Sequence, residues 1–449
     1  MNTVMVDWRR STLGDRCLKI GSGATPRGGK EAYLGGAISL IRSQNVYNGG
    51  FARSGLAFID EAQASELSNV EVAPDDVLLN ITGDSVARCC QVPLEVLPAR
   101  VNQHVSIIRT DKRQLDPRFL RYLLIEPRMQ QRLLALASAG ATRNALTKSM
   151  IERLEIAHPN VIEQRAIAHV LGTLDDKIDL NSRTSQTIRE VARALYRDWF
   201  IDFGPVRAKA EGRDQYLCLN LWELFPSAFC ESPMGLAPAT WTPSTLKDQT
   251  TKIGSGATPR GGKSVYVDHG AALIRSQNVY DDEFVWDGLA RITDAAAAQL
   301  AGVEVKTEDV LLNITGASIL RTCVVNPAVL PARVNQHVAI IRSKSGVPSR
   351  FLHLHLAQEK TKNYLLGMNA GGSREAVTKA HIESVPLLMP SPSLLEEFGK
   401  VVAPMYQQID AFAEESRTLA NCRDLLLPRL MSGDIRIKDA ERFIQEVTT

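Results

Sequence analysis

The most regular pattern of hydrophobic and polar positions lies in the middle of the chain. From Ile167 to Trp199 the seam positions are alternately four and three residues apart, and only Asn181 and Ser185 among them are polar. This heptad spacing places one apolar stripe along a helix and is typical of a coiled coil. The pattern predicts a helix of about 38 residues, which is about 57 Å long at 1.5 Å per residue.

A second stripe on the same spacing runs from Phe398 to Leu430, interrupted by Ser416 and Arg423. One helix of this length cannot bury its stripe alone, so we expect the two helices to pair with each other. The alternative is that each helix packs only against a neighbouring globular domain. The expected boundaries are the capping-box spacings of Asn160 with Glu163 and Ser393 with Glu396 at the starts, and Gly204-Pro205 and Gly433 at the ends.

A different pattern precedes each long helix. Short runs of β-type residues alternate with glycine, proline and asparagine, which predicts strands separated by tight turns. Longer runs with helical spacing follow, so each globular part is predicted to be a compact α+β domain. The predicted strands include 37–42, 76–81 and 101–109, and the predicted helices include 115–137 and 349–366.

The chain contains this arrangement twice. KIGSGATPRGGK at 19–30 returns unchanged at 252–263, an offset of 233 residues (252 − 19). After residue 147 the offset is 231 (378 − 147). This period is far too long for a solenoid repeat and indicates a duplicated pair of globular domain and helix. Further identical pairs are IRSQNVY at 41–47 and 274–280, VLLNITG at 77–83 and 310–316, and LPARVNQHV at 97–105 and 330–338.

Composition narrows the class of protein. The chain has 449 residues, of which 44% are hydrophobic and 23% are charged, as in ordinary globular domains. A net charge of +2 excludes a uniformly basic nucleic-acid coat but allows a local basic surface. Seven cysteines without a CxxC pair argue against a disulfide framework or a zinc ribbon. Because we find no signal peptide and no apolar run of about 18 residues, we expect a soluble cytoplasmic protein.

The duplicated glycine-rich loop is the most specific local motif. Four glycines between residues 21 and 29 allow the backbone to approach a partner closely, and the loop carries cations but no anion before residue 31. This combination suits a phosphate backbone. The alternative is a glycine-rich hairpin with solvated cations. The candidate contacts are Lys19, Thr25, Arg27 and Lys30, and in the second copy Lys252, Thr258, Arg260 and Lys263.

Three dense clusters of hydrogen-bonding side chains lie close to apolar strands. Arginine can form paired hydrogen bonds with guanine, and glutamine or asparagine with adenine, so such clusters suit the reading of base edges. The alternative is that each cluster satisfies local backbone groups at a strand end. Repetition in a second domain favours a DNA-reading surface. The candidates are Arg42, Gln44, Asn45, Thr82, Arg88, Asn102, Gln103 and His104, with Arg143 and Lys148 in a fourth cluster, and their counterparts Arg275, Gln277, Asn278, Thr315, Arg321, Asn335, Gln336, His337, Arg374 and Lys379.

Motifs for catalysis or metal binding carry little weight. Residues 257–264 (ATPRGGKS) resemble a relaxed P-loop, but Pro259 interrupts the motif and the first copy has Glu31 where Mg²⁺ would need a hydroxyl. His104 and His337 have no accompanying ligand cluster, so we predict no metal site. An NTPase acting through 257–264 is the enzyme alternative. We predict a reader without catalytic residues of its own.

Residues 162–205, IEQRAIAHVLGTLDDKIDLNSRTSQTIREVARALYRDWFIDFGP, resemble the central conserved region of the specificity (S) subunits of type I restriction-modification systems. The GSGATP turn near the start of each globular domain is similar to that family's SGGTP-type motif. The resemblance covers essentially the whole chain. The second helix departs from the family pattern: residues 394–397 replace the usual PxxEQ sequence, and Gln407-Gln408 replaces Asp176-Lys177.

The resemblance implies two pseudo-twofold-related α+β target recognition domains joined by two long antiparallel coiled-coil helices. Each domain would read one half of a bipartite DNA site, while the helices set the spacing and dock two adenine methyltransferase subunits. S-adenosylmethionine, ATP and Mg²⁺ would bind those subunits and two restriction subunits, in a bacterial or archaeal cytoplasm. The implied segments are recognition domain 1 (1–159), central spacer helix (160–205), linker (206–240), recognition domain 2 (241–390), C-terminal spacer helix (391–433) and tail (434–449).

A reader with twofold symmetry matches a palindromic site. Because the candidate reading loops are nearly identical, we expect an interrupted palindrome or a site close to one. Glu31 against Ser264, and Asn144 against Glu375, are the expected sources of asymmetry. The alternative from another class is a stand-alone DNA-binding regulator or scaffold with a coiled-coil core, which would not co-purify with a methyltransferase.

Overall fold

The computed structural model describes residues 8–26, 35–139, 144–368 and 376–448. The chain forms two compact units. Unit 1 comprises Met1–Asn181 and Glu414–Thr449, and unit 2 comprises Ser182–Ala413. Each unit therefore combines one globular α+β part with one half of each long helix.

Among the described residues, the globular part of unit 1 has twelve strands and four helices before the first long helix. The strands are β1 (Arg9–Thr12), β2 (Cys17–Ser22), β3 (Ile38–Ile41), β4 (Val46–Tyr47), β5 (Gly50–Phe51), β6 (Ala57–Ile59), β7 (Glu71–Val72), β8 (Val77–Asn80), β9 (Cys89–Gln91), β10 (Ala99–Val101), β11 (Val105–Thr110) and β12 (Glu155–His158). The helices are α1 (Glu61–Glu66), α2 (Pro117–Ile125), α3 (Pro127–Ser138), α4 (Lys148–Glu152) and the long α5 (Val161–Phe200).

Two four-stranded sheets form the framework of unit 1. One is antiparallel with the order β2-β11-β8-β9, and the other has the order β6-β3-β10-β7 with β3 and β10 parallel. Every residue of β8 is buried, because its two faces serve different cores. Val77 and Leu79 lie in the core that includes α2, α3 and the long helices, whereas Leu78 lies in the core shared with β3 and β10. This explains why the strand reads as a continuous apolar run.

Unit 2 repeats this framework after an insertion. Its strands are β13 (Phe229–Ser232), β14 (Gly235–Pro238), β15 (Thr242–Thr245), β16 (Thr250–Ser255), β17 (Tyr266–Ile274), β18 (Val279–Tyr280), β19 (Glu283–Phe284), β20 (Ala290–Ile292), β21 (Glu304–Val305), β22 (Val310–Asn313), β23 (Thr322–Val324), β24 (Ala332–Val334), β25 (Val338–Ser343) and β26 (Pro386–Met389). The remaining helices of the chain are α6 (Gly204–Ala210), α7 (Leu219–Trp222), α8 (Asp294–Gln299), α9 (Ser349–Leu356), α10 (Glu359–Gly367), α11 (Lys379–Glu383), α12 (Pro392–Ser432) and α13 (Ile437–Thr448).

The sheets of unit 2 have the same order as those of unit 1. They are β16-β25-β22-β23, which is antiparallel, and β20-β17-β24-β21, in which β17 and β24 are parallel. Strand β13 pairs only with β14, and this hairpin belongs to the insertion. The predicted α+β class is confirmed for both globular parts.

The two long helices, α5 and α12, pair in an antiparallel manner within unit 1. Leu171 of α5 and Leu426 of α12 belong to one core. The Asn181 side-chain amide donates to Glu415 Oε2 at 2.7 Å and to Ser416 Oγ at 3.3 Å. Asn181 is therefore a buried polar seam position with a partner, a device that fixes the register of paired helices.

The other halves of the same helices pair in unit 2. The rings of Tyr196 and Trp199 in α5 lie 6.0 and 5.7 Å from the ring of Phe398 in α12, measured between centroids. The predicted pairing is confirmed in each unit. The same side chains also share a core with the globular part, for example with Phe351 of α9, so each helix half packs on both.

Several predicted elements are shorter than expected. The helix predicted over 115–137 is two helices, because Pro127 cannot donate the backbone hydrogen bond that continues α2. The helix predicted over 349–366 divides into α9 and α10 at Gln358, whose backbone is extended. The strand predicted over 101–109 is β10 and β11, separated by the turn at 102–104.

Two segments for which no helix was predicted contain helices. The segment assigned to a linker holds α6, in which Val206 and Ala208 are buried. The segment assigned to a tail holds α13, in which Ala440 is buried and Phe443 and Ile444 pack on the core of unit 1. In the part of the chain that the structure describes, no helix is both long and apolar enough to cross a membrane.

Candidate nucleic-acid interface

A cleft of about 400 Å³ lies in unit 1 where three of the predicted polar clusters meet. Strands β3 and β8 end beside it, at Ile41 and Asn80, and β11 begins beside it at Val105, which is the register partner of Asn80. The sheet order thus brings together residues that are distant in sequence. The cleft is lined by Ser43, Gln44, Tyr47, Thr82, Gly83, Asp84, Ser85, Arg88 and His104.

A row of polar contacts crosses one wall of the cleft. Thr82 Oγ1 lies 2.6 Å from His104 Nδ1, and Gln103 Nε2 lies 3.2 Å from His104 Nε2. The Thr25 hydroxyl donates to Gln103 Oε1. The glycine-rich loop, the turn after β10 and the end of β8 are therefore connected. Gln103 remains exposed, so its amide can exchange these contacts for hydrogen bonds with a bound molecule.

A stacked arginine forms part of the cleft. The Arg88 guanidinium carbon lies 4.8 Å from the centroid of the Tyr47 ring, within the range of a cation–π contact. Tyr47 is 42% exposed, so the pair presents both a positive charge and an aromatic ring. The sequence predicted Arg88 but missed Tyr47, although Tyr47 ends the duplicated IRSQNVY motif.

Two buried asparagines build the cleft without lining it. Asn80 donates its amide to the Ser43 carbonyl oxygen at 2.9 Å, and Asn45 donates to the Ala52 carbonyl oxygen at 2.9 Å. Both side chains are fully buried. Asn45 was a predicted DNA contact, and the structure corrects this: its amide satisfies backbone groups inside the turn and does not reach the surface.

Asn102 and Arg42 are also engaged by the backbone. Asn102 Oδ1 accepts a hydrogen bond from the His104 backbone N–H at 3.1 Å, and the side chain is buried. Arg42 Nη2 donates to the Gly55 carbonyl oxygen at 2.6 Å, and Gln44 Nε2 donates to the same oxygen at 3.1 Å. The Asn102 side chain therefore supports the backbone of its turn. Half-buried Arg42 stabilises the turn after β3. Gln44 is exposed and lines the cleft.

Unit 2 repeats the same network. Thr315 Oγ1 lies 2.7 Å from His337 Nδ1, and Gln336 Nε2 lies 3.0 Å from His337 Nε2. The Arg321 guanidinium lies 4.4 Å from the Tyr280 ring centroid. The other repeated contacts are Thr258 to Gln336, His337 N–H to Asn335 Oδ1 at 3.1 Å, Arg275 Nη2 to Gly288 O at 2.6 Å, Gln277 Nε2 to Gly288 O at 3.2 Å, and the amide of fully buried Asn278 to Val285 O at 2.9 Å.

The predicted contact Lys19 lies outside the lining of the cleft. Lys19 is the register partner of Arg109, near the opposite end of β11 from the cleft, and donates to the Asn69 carbonyl oxygen at 2.7 Å. Burial, followed by the charge of Arg109, lowers the pKa of Lys19. Lys252 makes the equivalent bond to Gly302 at 2.7 Å.

The remaining predicted cations fall into two groups. Lys148 and Lys379 begin α4 and α11 and form ion pairs along these helices with Glu152 at 3.5 Å and Glu383 at 3.6 Å. Arg260 and Lys263 are exposed. Four further predicted contacts lie outside the described residues: Arg27, Lys30, Arg143 and Arg374.

One glycine of the duplicated loop has a structural explanation. Gly23 N–H donates to the Val105 carbonyl oxygen at 2.9 Å, and a Cβ atom at this position would collide with the carbonyl oxygens of Val101 and Asn102. Gly256 is in the same situation in unit 2. The close approach that these glycines allow is therefore to the chain's own backbone.

The structure also bears on the motifs set aside above. Within residues 8–26, 35–139, 144–368 and 376–448, no group of three or more His, Cys, Asp or Glu side chains is placed to hold a metal ion. The P-loop-like segment continues into a 3₁₀ turn at Gly262–Val265 and then into β17, where a P-loop requires a helix.

Comparison with known proteins identifies the family. The family model for the type I restriction modification DNA specificity domain matches residues 5–190, and the second half of the chain duplicates that region. The HindI specificity subunit of Haemophilus influenzae is 23% identical over 96% of this chain and 100% of its own length. Residues 5–190 belong to the family of type I restriction modification DNA specificity domains, and the chain as a whole is similar to type I specificity subunits. These matches support DNA recognition as its function.

Further type I specificity subunits are similar to this chain over nearly their full length. The MjaIX specificity subunit of Methanocaldococcus jannaschii is 22% identical over 96% of this chain and 94% of its own. The crystal structure of the S subunit from M. genitalium has a TM-score of 0.55 and 17% identity, covering 96% of this chain and 97% of that one. This likeness shows a shared fold.

Proposed function

We propose that this specificity subunit reads a bipartite DNA site, with each unit recognising one half. The observation that carries the proposal is that one cleft is built twice from the same side chains. Each copy presents an exposed glutamine, a histidine, a threonine and an arginine stacked on tyrosine. These groups are donors and acceptors of the kind that read base edges or hold phosphates.

The paired long helices act as the spacer between the two half-sites and as the docking surface for two adenine methyltransferase subunits. The antiparallel pairing found in each unit supports this role, because paired helices resist bending better than a single helix. S-adenosylmethionine would bind to the methyltransferase subunits. ATP and Mg²⁺ would bind to restriction subunits in the complete complex, which acts on DNA in the cytoplasm.

The two half-sites are closely related in sequence. This follows from the near identity of the two clefts, since identical side chains in identical geometry select identical bases. A site read by two such units is an interrupted palindrome or differs from one at few positions. The flipped adenine that is methylated would lie in the partner subunit's pocket, while this chain holds the duplex.

Reconstitution tests the proposal. The chain is co-expressed with a candidate adenine methyltransferase chain from the same genome, and transfer of labelled methyl groups to DNA is measured with and without this chain. We expect co-purification and methyl transfer that depends on the chain. Sequence-specific DNA binding by the chain alone, without recovery of a methyltransferase, would instead support a stand-alone regulator.

A further inference from the structure

The residues that line the unit 1 cleft and their counterparts in unit 2, which we call the unit 2 cleft, differ at one position. Adding 233 to each of the nine lining residues of the unit 1 cleft gives its counterpart in unit 2, and eight of the nine are identical. The exception is Asp84, whose counterpart is Ala317. The identical pairs are Ser43 and Ser276, Gln44 and Gln277, Tyr47 and Tyr280, Thr82 and Thr315, Gly83 and Gly316, Ser85 and Ser318, Arg88 and Arg321, and His104 and His337.

The backbone around this position is the same in both units. Thr82 and Thr315 are extended, with φ and ψ of −145° and 155° against −148° and 156°. The glycines that follow have φ of 73° and 77°, and each begins a three-residue 3₁₀ turn. The difference between the clefts is therefore the side chain itself, presented from one backbone geometry.

The Asp84 side chain is available to a ligand. Asp84 is exposed, and no hydrogen bond or ion pair joins its carboxylate to another described residue. An ionised carboxylate only accepts hydrogen bonds, so it disfavours a phosphate and favours the exocyclic amino group of a base. In the major groove, an acidic side chain accepts from cytosine N4, whereas an alanine methyl contacts the methyl group of thymine.

We propose that Asp84 and Ala317 make the two half-sites differ at one base pair. Unit 1 selects a base with an exocyclic amino group there, cytosine above adenine, and unit 2 selects thymine at the equivalent position. The other positions read through the cleft are shared between the half-sites. This inference rests on the proposed function, because it assumes that each cleft reads one half of the site.

Exchange of the two residues tests the inference. Asp84→Ala and Ala317→Asp are each expressed with the partner methyltransferase, and the methylated motif is mapped across a genome. Asp84→Ala should change the preference at one position of one half-site by roughly 5- to 150-fold and make the two halves match. Ala317→Asp should also make the two halves match at this position, because the half-site read by unit 2 would then have cytosine in place of thymine. Both substitutions are at exposed positions, and thermal unfolding confirms that each variant folds.

A matched control and the wild-type motif separate the possible failures. Glu66→Ala removes another exposed acid of unit 1, one that lies in α1 outside the lining of the cleft, and should leave the motif unchanged. If the wild-type motif is split and Asp84→Ala leaves it unaltered, this inference is wrong but the proposed function stands. Half-sites already identical in the wild type also overturn it. A chain that directs no split motif overturns the proposed function itself.

Discussion

Asn80 shows how one side chain shapes the cleft. Its amide donates to the backbone carbonyl oxygens of Ser43 at 2.9 Å and of Val46 at 3.4 Å, and so joins the end of β8 to the turn after β3. Both oxygens would lose a partner in Asn80→Ala. We expect this variant to lose ~1–3 kcal/mol of unfolding free energy in a urea titration. Asn313→Ala is the matched variant in unit 2, and an unchanged free energy in both would contradict this role.

Arg88 is the residue that we expect to contribute most to DNA binding in unit 1. Its stacking on Tyr47 fixes the guanidinium before DNA binds, so little side-chain entropy is lost on binding. Arg88→Ala should weaken binding of the complete complex by ~1–3 kcal/mol and relax one base position in one half-site. Arg321→Ala should do the same in the other half-site, as measured with a library of randomised sites. Unchanged affinity in both variants would exclude these arginines from the interface.

The sequence identified most of the polar residues around the cleft but could not separate those that line it from those that are buried behind it. Gln44 and Asn45 are neighbours, yet the 3₁₀ turn exposes the first and buries the second. Side-chain direction in such a turn depends on the backbone and not on residue type. Tyr47 and Asp84 were missed because an exposed tyrosine or aspartate after a strand has no pattern of its own in a single sequence.

At the scale of elements, a largely buried ion-pair network joins the globular part of unit 1 to both long helices. Asp175 of α5 pairs with Arg121 of α2 and, at 2.7 Å, with Arg423 of α12. Burial raises the pKa of Asp175, but the charge and hydrogen bonds of Arg121, with further bonds from Tyr122 and Arg423, outweigh burial and lower it. The carboxylate is therefore charged in the folded unit.

Asp175→Ala should destabilise the protein by ~3–5 kcal/mol, because it leaves buried Arg121 without a counter-charge. Asp176→Ala is the matched control. Its carboxylate is 66% exposed and pairs with Arg118, so its loss should cost less than ~1 kcal/mol. Urea unfolding at pH 7 measures both. Equal effects of the two substitutions would contradict a buried network.

The difference in unfolding free energy between the wild type and Asp175→Ala should depend on pH in a predictable direction. Because the folded state lowers the pKa of Asp175, its stabilisation is present above the unfolded value of about 3.9 and is lost as the pH falls through the folded value. The unfolding free energies of the wild type and Asp175→Ala should therefore become more similar below about pH 4. A difference that grows on acidification would show that the carboxylate is not stabilised by its cationic partners.

The long helices were the most predictable elements, because a heptad stripe over ten seam positions is compatible with few structures other than a long paired helix. Removing one heptad from each helix, residues 182–188 and 408–414, shortens each by about 10.5 Å and retains the seam. We expect the unread gap in the DNA site to shorten by about three base pairs, at about 3.4 Å per base pair, with the same half-sites. Methylation mapping measures the gap, and an unchanged gap would contradict the spacer role.

Helix breaks were less predictable than the long helices. Pro127 marks one of them, but the break at Gln358 has no proline or glycine, so local sequence gives no warning. No helix was predicted in residues 434–449, where α13 lies. It forms because Ile437, Ala440, Phe443 and Ile444 share one apolar face, which packs on the core of unit 1.

At the scale of the whole molecule, the duplication is the dominant fact. The two units have the same sheet order, nearly the same polar cluster and paired helix halves, and the ion pair of buried Asp76 with Arg109 returns as Asp309 with Arg342. The ion pairs with the long helices differ: in unit 1 Asp175 of α5 pairs with Arg121 of the globular part, whereas in unit 2 Asp282 of the globular part pairs with Arg193 of α5. The copies have therefore diverged in their scaffold more than in their clefts.

The methylation map of the wild-type complex tests the central claim most directly, namely that two copies of one cleft read two halves of one site. Genomic DNA from cells that express the chain with its partner methyltransferase is sequenced with detection of methylated adenine. The account predicts one split motif whose halves, read on opposite strands, agree at all but one or two positions. Two unrelated half-sites, or one continuous motif, would contradict it.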